Sequence, residues 1–281
     1  SMNCLTYDEW KDTDAVEVLT YFLDAVMTEY IEKTRDIVHM TGSYNFAKRW
    51  RALGIGQLGW HSYLQKKMIP FESFDAAKIS AEISHVIDVR SHKASQEMAV
   101  RYGEPTGLRG YGVRNLTRTA IAPTTSSSFI LGQVSPSIEP LRSNYFIKDL
   151  AKGQFTYRNP QLEHVLRMHD KSTTEVWLSI LENNGSVQHL DFLSDKEKAV
   201  FRTFDEISPL NIIQQAAARQ YHIDQSQSLN LLIPPKTPAK DQMKLIQEAW
   251  RLGVKTLYYQ RSANPAKTLV QDIMHCVSCE G

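Results

Sequence analysis

Thr119-Ala120-Ile121-Ala122 followed by Pro123-Thr124-Thr125-Ser126-Ser127-Ser128 is the stretch on which the fold turns. Four small or β-branched residues read as a short buried strand, and Pro123 with the hydroxyl run ends it in a loop. In parallel α/β proteins ligands sit beyond the carboxyl ends of strands, so Thr124, Ser126 and Ser127 are candidates to hold a phosphate with hydroxyls and backbone amides. The residues alone leave open the plainer reading of a polar loop that hydrogen-bonds to itself.

Downstream, the pattern alternates. Helical spacing marks Gln161–Met168, Thr174–Glu182 and Asn211–Tyr221, then Leu229-Asn230-Leu231-Leu232-Ile233 reads as a strand stopped by Pro234-Pro235. A helix over Asp241–Leu252, with Met243, Ile246 and Trp250 on one stripe, leads to the strand Val254-Lys255-Thr256-Leu257-Tyr258-Tyr259. Strand, helices, strand, helix, strand is the signature of a parallel α/β architecture. The stripe on Asp241–Leu252 is expected to be core. Tyr258 and Tyr259, read as ordinary strand residues, put one ring on each face of the sheet.

Upstream, helices dominate. Leu19, Phe22, Leu23, Val26 and Tyr30 recur at helical spacing within residues 13–36, and Phe74–Tyr102 carries a second long pattern that stops before Gly103-Glu104-Pro105. Between them Gly54-x-Gly56-x-x-Gly59 matches the dinucleotide-binding pattern, but Asn45-Phe46-Ala47-Lys48-Arg49-Trp50-Arg51 is too charged to be the buried strand that motif needs. Close backbone packing explains these glycines better.

Composition limits the function. With 32 Lys and Arg against 31 Asp and Glu, the chain has no basic field to attract nucleic acid. No apolar run suffices for a membrane span and no signal segment opens the chain, so a cytoplasmic protein is expected. Three cysteines, Cys4, Cys276 and Cys279, are too few for a disulfide framework. Cys276-x-x-Cys279 has the spacing of a redox dithiol or half a zinc site, and the residues leave an incidental pair open as well. The histidines form no HExxH, and His85/His92 and His164/His169 are not expected to share a helical face, so no metal is assigned. Residues 1–12 read as the start of a fragment, with Ser1-Met2 resembling a cloning remnant, and are left out of the fold reasoning; residues 261–281 read as a flexible tail.

Six segments in consistent order resemble the class I ribonucleotide reductase large subunit: Arg51-Ala52-Leu53-Gly54-Ile55-Gly56, Arg114-Asn115-Leu116-Thr117, Ala122-Pro123-Thr124-Thr125-Ser126-Ser127-Ser128, Ser135-Pro136-Ser137-Ile138-Glu139-Pro140, Ile223-Asp224-Gln225-Ser226-Gln227-Ser228-Leu229-Asn230 and Gly253-Val254-Lys255-Thr256-Leu257-Tyr258-Tyr259-Gln260. The resemblance implies an α/β fold in which residues 13–260 supply the carboxy-terminal part, the second half, of a ten-stranded barrel. It implies that Pro123, Thr124, Thr125, Ser126 and Ser127 bind the substrate diphosphate, Thr125 through its backbone alone. Tyr258 and Tyr259 would relay a radical from the small subunit, and Cys276 and Cys279 would form the swinging dithiol that re-reduces the active-site disulfide. The helix Asp241–Leu252 lies where the family receives the small subunit's carboxy-terminal peptide.

The family's radical cysteine, its neighbouring asparagine and glutamate, the two buried cysteines of the turnover disulfide and the regulatory nucleotide sites all lie upstream of the matched region, and Cys4 replaces none of them. Expected partners are therefore the amino-terminal part of the large subunit, the small subunit with its dimetal-tyrosyl radical cofactor, a ribonucleoside diphosphate, and thioredoxin or glutaredoxin as reductant, with no cofactor bound directly. The rivals are a non-catalytic remnant that binds the small subunit and an independent dithiol oxidoreductase.

Overall fold

A computed structural model describes residues 1–150 and 153–262, the side chains of 148–155 aside; Cys276 and Cys279 lie outside the described residues. In chain order the elements are β1 (Met2–Asn3), α1 (Tyr7–Trp10), α2 (Ala15–Thr34), α3 (Thr41–Trp50), β2 (Gln57–Leu58), α4 (Trp60–Lys66), α5 (Phe74–Tyr102) and α6 (Thr125–Ile130). They continue with β3 (Tyr145–Leu150), β4 (Gly153–Arg158), α7 (Pro160–Met168), α8 (Thr174–Glu182), α9 (Asp195–Val200), α10 (Pro209–Gln220), β5 (Leu231–Leu232), α11 (Ala239–Arg251) and β6 (Gln260–Arg261).

Five extended segments lie side by side in sequence order, all parallel. β1 pairs with β2, and Ile55 bridges Thr119. Ile121 in turn bridges Gln227, and β5 pairs with β6. The connecting bonds run continuously: Met2 N to Gly56 O 2.8 Å, Ile55 N to Arg118 O 2.7 Å, Ser228 N to Ile121 O 2.9 Å and Leu231 N to Tyr259 O 2.9 Å. Each crossover carries helix, which is how parallel neighbours must be joined. The regular strands are short because the ladder bonds extend through irregular backbone on either side. The segment expected as a strand at Val254–Tyr259 is a case in point: β6 begins at Gln260, although Tyr258 N already donates to Leu229 O at 2.9 Å.

The glycines between α3 and α4 serve the sheet. A Cβ on Gly56 would lie 2.9 Å from the Ala120 carbonyl oxygen, and one on Gly54 3.2 Å from Ala120 Cβ, so the second and third segments approach too closely for side chains. Gly59, at φ +75°, caps α4 in the left-handed conformation. The preceding charged stretch is the helix α3, not a strand.

α5 has the bounds its sequence predicts. The Ser73 hydroxyl accepts from Ala76 N at 3.1 Å to start it, and Gly103 at φ +81° ends it. Its buried stripe alternates Ile83, Ile87 and Met98 with Ser80, Ser84, Ala94 and Ser95, small residues that let α2 and α10 pack closely. Two hydrophobic bodies result. One gathers Trp60, Ile83, Phe204, Ile213 and Leu231 beneath the sheet, and the other joins Tyr145, Leu162, Trp177 and Phe201 beneath the β3–β4 hairpin. Between them runs a buried amide seam in which Asn159 Nδ2 donates to Gln65 Oε1 at 3.0 Å and to Asn144 Oδ1 at 2.7 Å.

Three expectations are corrected. Met243, Ile246 and Trp250 are not core: all three are exposed, Trp250 at 81%, while α11 buries Ala249 instead. On α2, Phe22 and Val26 of the expected stripe are likewise exposed, and the helix turns Val16, Thr20 and Asp24 inward. Asp24 dictates that rotation, because its carboxylate accepts from Arg51 Nε at 2.8 Å, Arg114 Nε at 2.9 Å and Asn115 Nδ2 at 2.9 Å. Burial opposes its ionisation, but the bonds from Arg51 and Arg114 outweigh it and hold its carboxyl below the usual range. Finally, residues 2–10 are integral to packing, since Cys4 and Tyr7 are buried and Met2 donates into the sheet.

Candidate functional site

Register decides which groups meet. Ser228 N reaches the end of the third segment at Ile121, so residues 229–233 run on past it and carry β6 with them. The loop that leaves the third segment at Ala122 and the tyrosines beside Leu229 and Leu231 therefore lie at the same, carboxyl, end of the sheet. Together they line one cavity of about 490 Å³: Pro123, Thr125 and Ser128 on one side, Tyr258, Tyr259 and Arg261 on the other, with Glu139 and Asn230 between.

The hydroxyl run is not a free loop, since Thr125–Ile130 forms the short helix α6. Thr124 is turned inward, its Oγ1 accepting from Ser137 N at 2.9 Å and pairing with Ser128 Oγ at 3.1 Å, while the Ser128 hydroxyl donates to Thr124 O at 2.7 Å. Thr125 Oγ1 donates to Pro123 O at 3.0 Å and faces the cavity. Ser126 and Ser127 are exposed. The first amides of a helix have no partner within it, and since Thr125 N already donates to Pro123 O and Ser128 N to Thr124 O, the donors α6 offers beside these hydroxyls are the Ser126 and Ser127 amides, not the expected Thr125 backbone.

Tyr258 and Tyr259 do not alternate across the sheet. Their ring centroids are 4.1 Å apart at 46°, because the backbone there is irregular rather than pleated. Each ring is about half exposed. A hydrogen bond to Tyr259 raises the Tyr258 phenol above its ordinary range, and the Arg261 guanidinium lies 4.8 Å over the Tyr259 ring. Glu139 is raised by burial, against the opposing influence of Asn230, Arg142 and Arg261. Glu139, Asn230 and Arg261 were missed as site residues: two of them fall inside the motifs quoted above, but nothing in their local pattern sets them apart.

Burial pushes the Cys4 thiol up to about 12, so it stays protonated and is a poor nucleophile. His85 and His92 do share a face of α5, contrary to expectation, because seven residues make two turns. They have different neighbours: His85 lies against the His222 ring, with centroids 4.9 Å apart, while Arg118 donates to Asp88 at 2.9 Å and lies 2.7 Å from His92 Nδ1. Among the described residues no three His, Cys, Asp or Glu side chains are placed to hold a metal ion, and no helix is long and apolar enough to cross a membrane.

Comparison with known proteins follows the same lines. A family model described as the ribonucleotide reductase barrel domain matches residues 2–109 and 106–260. The chain is 41% identical over 267 residues to the ribonucleoside-diphosphate reductase large subunit of Invertebrate iridescent virus 6, covering 93% of this chain and 28% of that protein. It is 37% identical over 298 residues to a putative ribonucleoside-diphosphate reductase large subunit of Frog virus 3, covering all of this chain and 51% of the relative. Among solved structures, the Actinobacillus ureae class Id ribonucleotide reductase alpha subunit superposes with a TM-score of 0.89 at 54% identity, over 94% of this chain and 49% of that one. The chain thus spans about half, or less, of the length of these relatives.

Proposed function

Because this chain belongs to the ribonucleotide reductase large-subunit family, through its barrel domain, we propose that it is the carboxy-terminal part of the catalytic barrel of a ribonucleoside-diphosphate reductase, active only with the amino-terminal part and a small subunit. The observation that carries the proposal is the single cavity onto which both α6 and the Tyr258–Tyr259 pair open.

In this reading the substrate's diphosphate lies at the start of α6. Exposed Ser126 and Ser127 hydroxyls and the unpaired amides donate to it, while Thr124 keeps the turn rigid from within. The loop itself holds no lysine or arginine, so its donors fix the phosphate by direction, while Arg142 and Arg261 on the same cavity supply positive charge, which suits a reaction in which the ribose must be aligned with a radical.

The paired phenols serve as the relay. A phenol gives up an electron and a proton together and regains both, so when oxidation passes from one ring of the pair to the other the first is restored as the second is oxidised. Ring contact at 4.1 Å supports that exchange. The dimetal-tyrosyl cofactor that starts the radical belongs to the small subunit. Cys276 and Cys279 would return two electrons per turnover by thiol–disulfide exchange, becoming a disulfide that thioredoxin or glutaredoxin reduces.

The test is reconstitution. Mixing the chain with the amino-terminal part and the small subunit should restore reduction of ribonucleoside diphosphates, and Tyr259→Phe should abolish it, since phenylalanine has no proton to release. A Tyr259→Phe chain that still supports turnover refutes the relay.

A further inference from the structure

We infer that Glu139 is a positioning residue for the tyrosine pair, holding the Tyr259 backbone through Asn230 and tying it to the hydroxyl-bearing turn at Thr124. The inference rests on the relay reading above and adds to it a residue and a linkage.

Residues 134–140 cross the cavity between its two functional sides. On one side Ser137 N donates to Thr124 Oγ1 at 2.9 Å. On the other, Glu139 accepts a short hydrogen bond from Asn230 Nδ2, and Asn230 Oδ1 accepts from Tyr259 N at 3.1 Å. Both ends of the Asn230 amide are thereby committed, one to the carboxylate and one to the tyrosine backbone. The bridge itself is anchored from beneath, with Ser135 N donating to Ser62 Oγ at 2.9 Å, Ser62 N to Ser135 Oγ at 3.1 Å and Gly59 N to Ser135 O at 2.8 Å.

The ladder bonds alone do not fix this region. Tyr258 N and Tyr259 O are held by Leu229 and Leu231, but the Tyr259 amide finds its acceptor in the Asn230 side chain. A side-chain amide free to rotate would hold it poorly, and the Glu139 carboxylate fixes the rotamer. Among the described residues that line the cavity, Glu139 is the one carboxylate. With rings 4.1 Å apart, a small rotation of this backbone changes their contact directly.

The experiment uses the reconstituted reductase, both large-subunit parts with the small subunit. Glu139→Ala should lower kcat at least about tenfold while KM for the nucleoside diphosphate stays within about twofold, the signature of a lost positioning role rather than lost ground-state binding. Glu139→Gln keeps an oxygen for Asn230 to donate to and should recover kcat to within about threefold of the parent. Asn230→Asp still accepts from Tyr259 N but cannot donate to Glu139, and should match Glu139→Ala even if the alanine variant folds poorly. A redox-active tyrosine analogue at position 259 should trap less radical in Glu139→Ala and Asn230→Asp at equal substrate occupancy.

Full kcat in Glu139→Ala or Asn230→Asp, a loss confined to KM, or Glu139→Gln as inactive as alanine would each overturn the inference. Failure of the relay itself is separate, for it would show as activity in Tyr259→Phe; an inactive Tyr259→Phe beside a fully active Glu139→Ala condemns the positioning role alone.

Discussion

Acid should loosen the wall of the cavity through His61. This imidazole is fully buried beneath it, against Phe71, and its Nδ1 accepts from the backbone amide of Leu141, which lines the cavity. Burial lowers His61 from 6.5 to about 4, so the fold holds it neutral while an unfolded chain protonates it in the ordinary range. The lowered value fixes the sign. The contribution is fully present above pH 6.5 and is lost as pH falls toward 4, because the unfolded state binds the proton first. At roughly 1.4 kcal/mol for each pH step, about 2 to 3 kcal/mol should be lost between pH 7 and pH 4.5. Urea unfolding followed by tryptophan fluorescence at those two values measures it, with His61→Gln as the comparison. Glutamine can still accept from Leu141 N but does not titrate, so its stability should fall by that much less than the parent's. Curves for parent and variant that stay parallel within about 0.5 kcal/mol over this range would refute the argument.

Asp24→Ala leaves the buried Arg51 without its acid and unpairs Arg114, and should cost about 3 to 5 kcal/mol in denaturant unfolding. In the parent, the lowered Asp24 carboxyl contributes above about pH 4 and its contribution is lost only as pH falls through the folded-state value, so the alanine variant should lack that acid limb. Gly56→Ala forces a methyl to 2.9 Å from the Ala120 carbonyl and should lower stability by about 1 to 3 kcal/mol, read as a drop in Tm. Cys279→Ser in the reconstituted enzyme should stop thioredoxin-driven multiple turnover while leaving a single turnover intact, as single-turnover kinetics would show.

What the sequence discloses follows physical range. The bounds of α5 are legible because Ser73 and Gly103 act on their own neighbours, while of the expected buried strand Thr119–Ala122 only Thr119 and Ile121 are buried, each in an isolated bridge, and Ala122 is already exposed. The glycines of the 54–59 motif are correctly read as packing, since the charged stretch before them rules out the alternative locally. Legibility ends where a distant partner decides. The apolar stripe of α11 is visible, but whether it meets the core or solvent depends on α10 and the sheet, and the same pattern on α2 is overruled by Asp24 and its two arginines. α6 reads as a loop because hydroxyl side chains compete for backbone bonds, yet here Ser128 turns that competition into a stitch back to Thr124. The β3–β4 hairpin goes unread although Gln154-Phe155-Thr156-Tyr157-Arg158 alternates polar and apolar residues, because its partner opens on the unalternating run Tyr145-Phe146-Ile147. The meeting of Thr125 with Tyr258 and Tyr259 across more than a hundred residues is a matter of register, which the motif order implied but no local spacing could.

The amide seam between the two hydrophobic bodies has a mechanical consequence. Apolar interiors resist separation over their whole area, whereas Gln65, Asn159 and Asn144 grip at a few directional points that water can replace one at a time. Opening should therefore begin along this line, with the hairpin side tilting as a flap while the five parallel segments hold their spacing. Phe146 and Tyr157 belong to that flap and form part of the cavity wall, so the mouth is free to widen without disturbing the tilted tyrosine pair opposite.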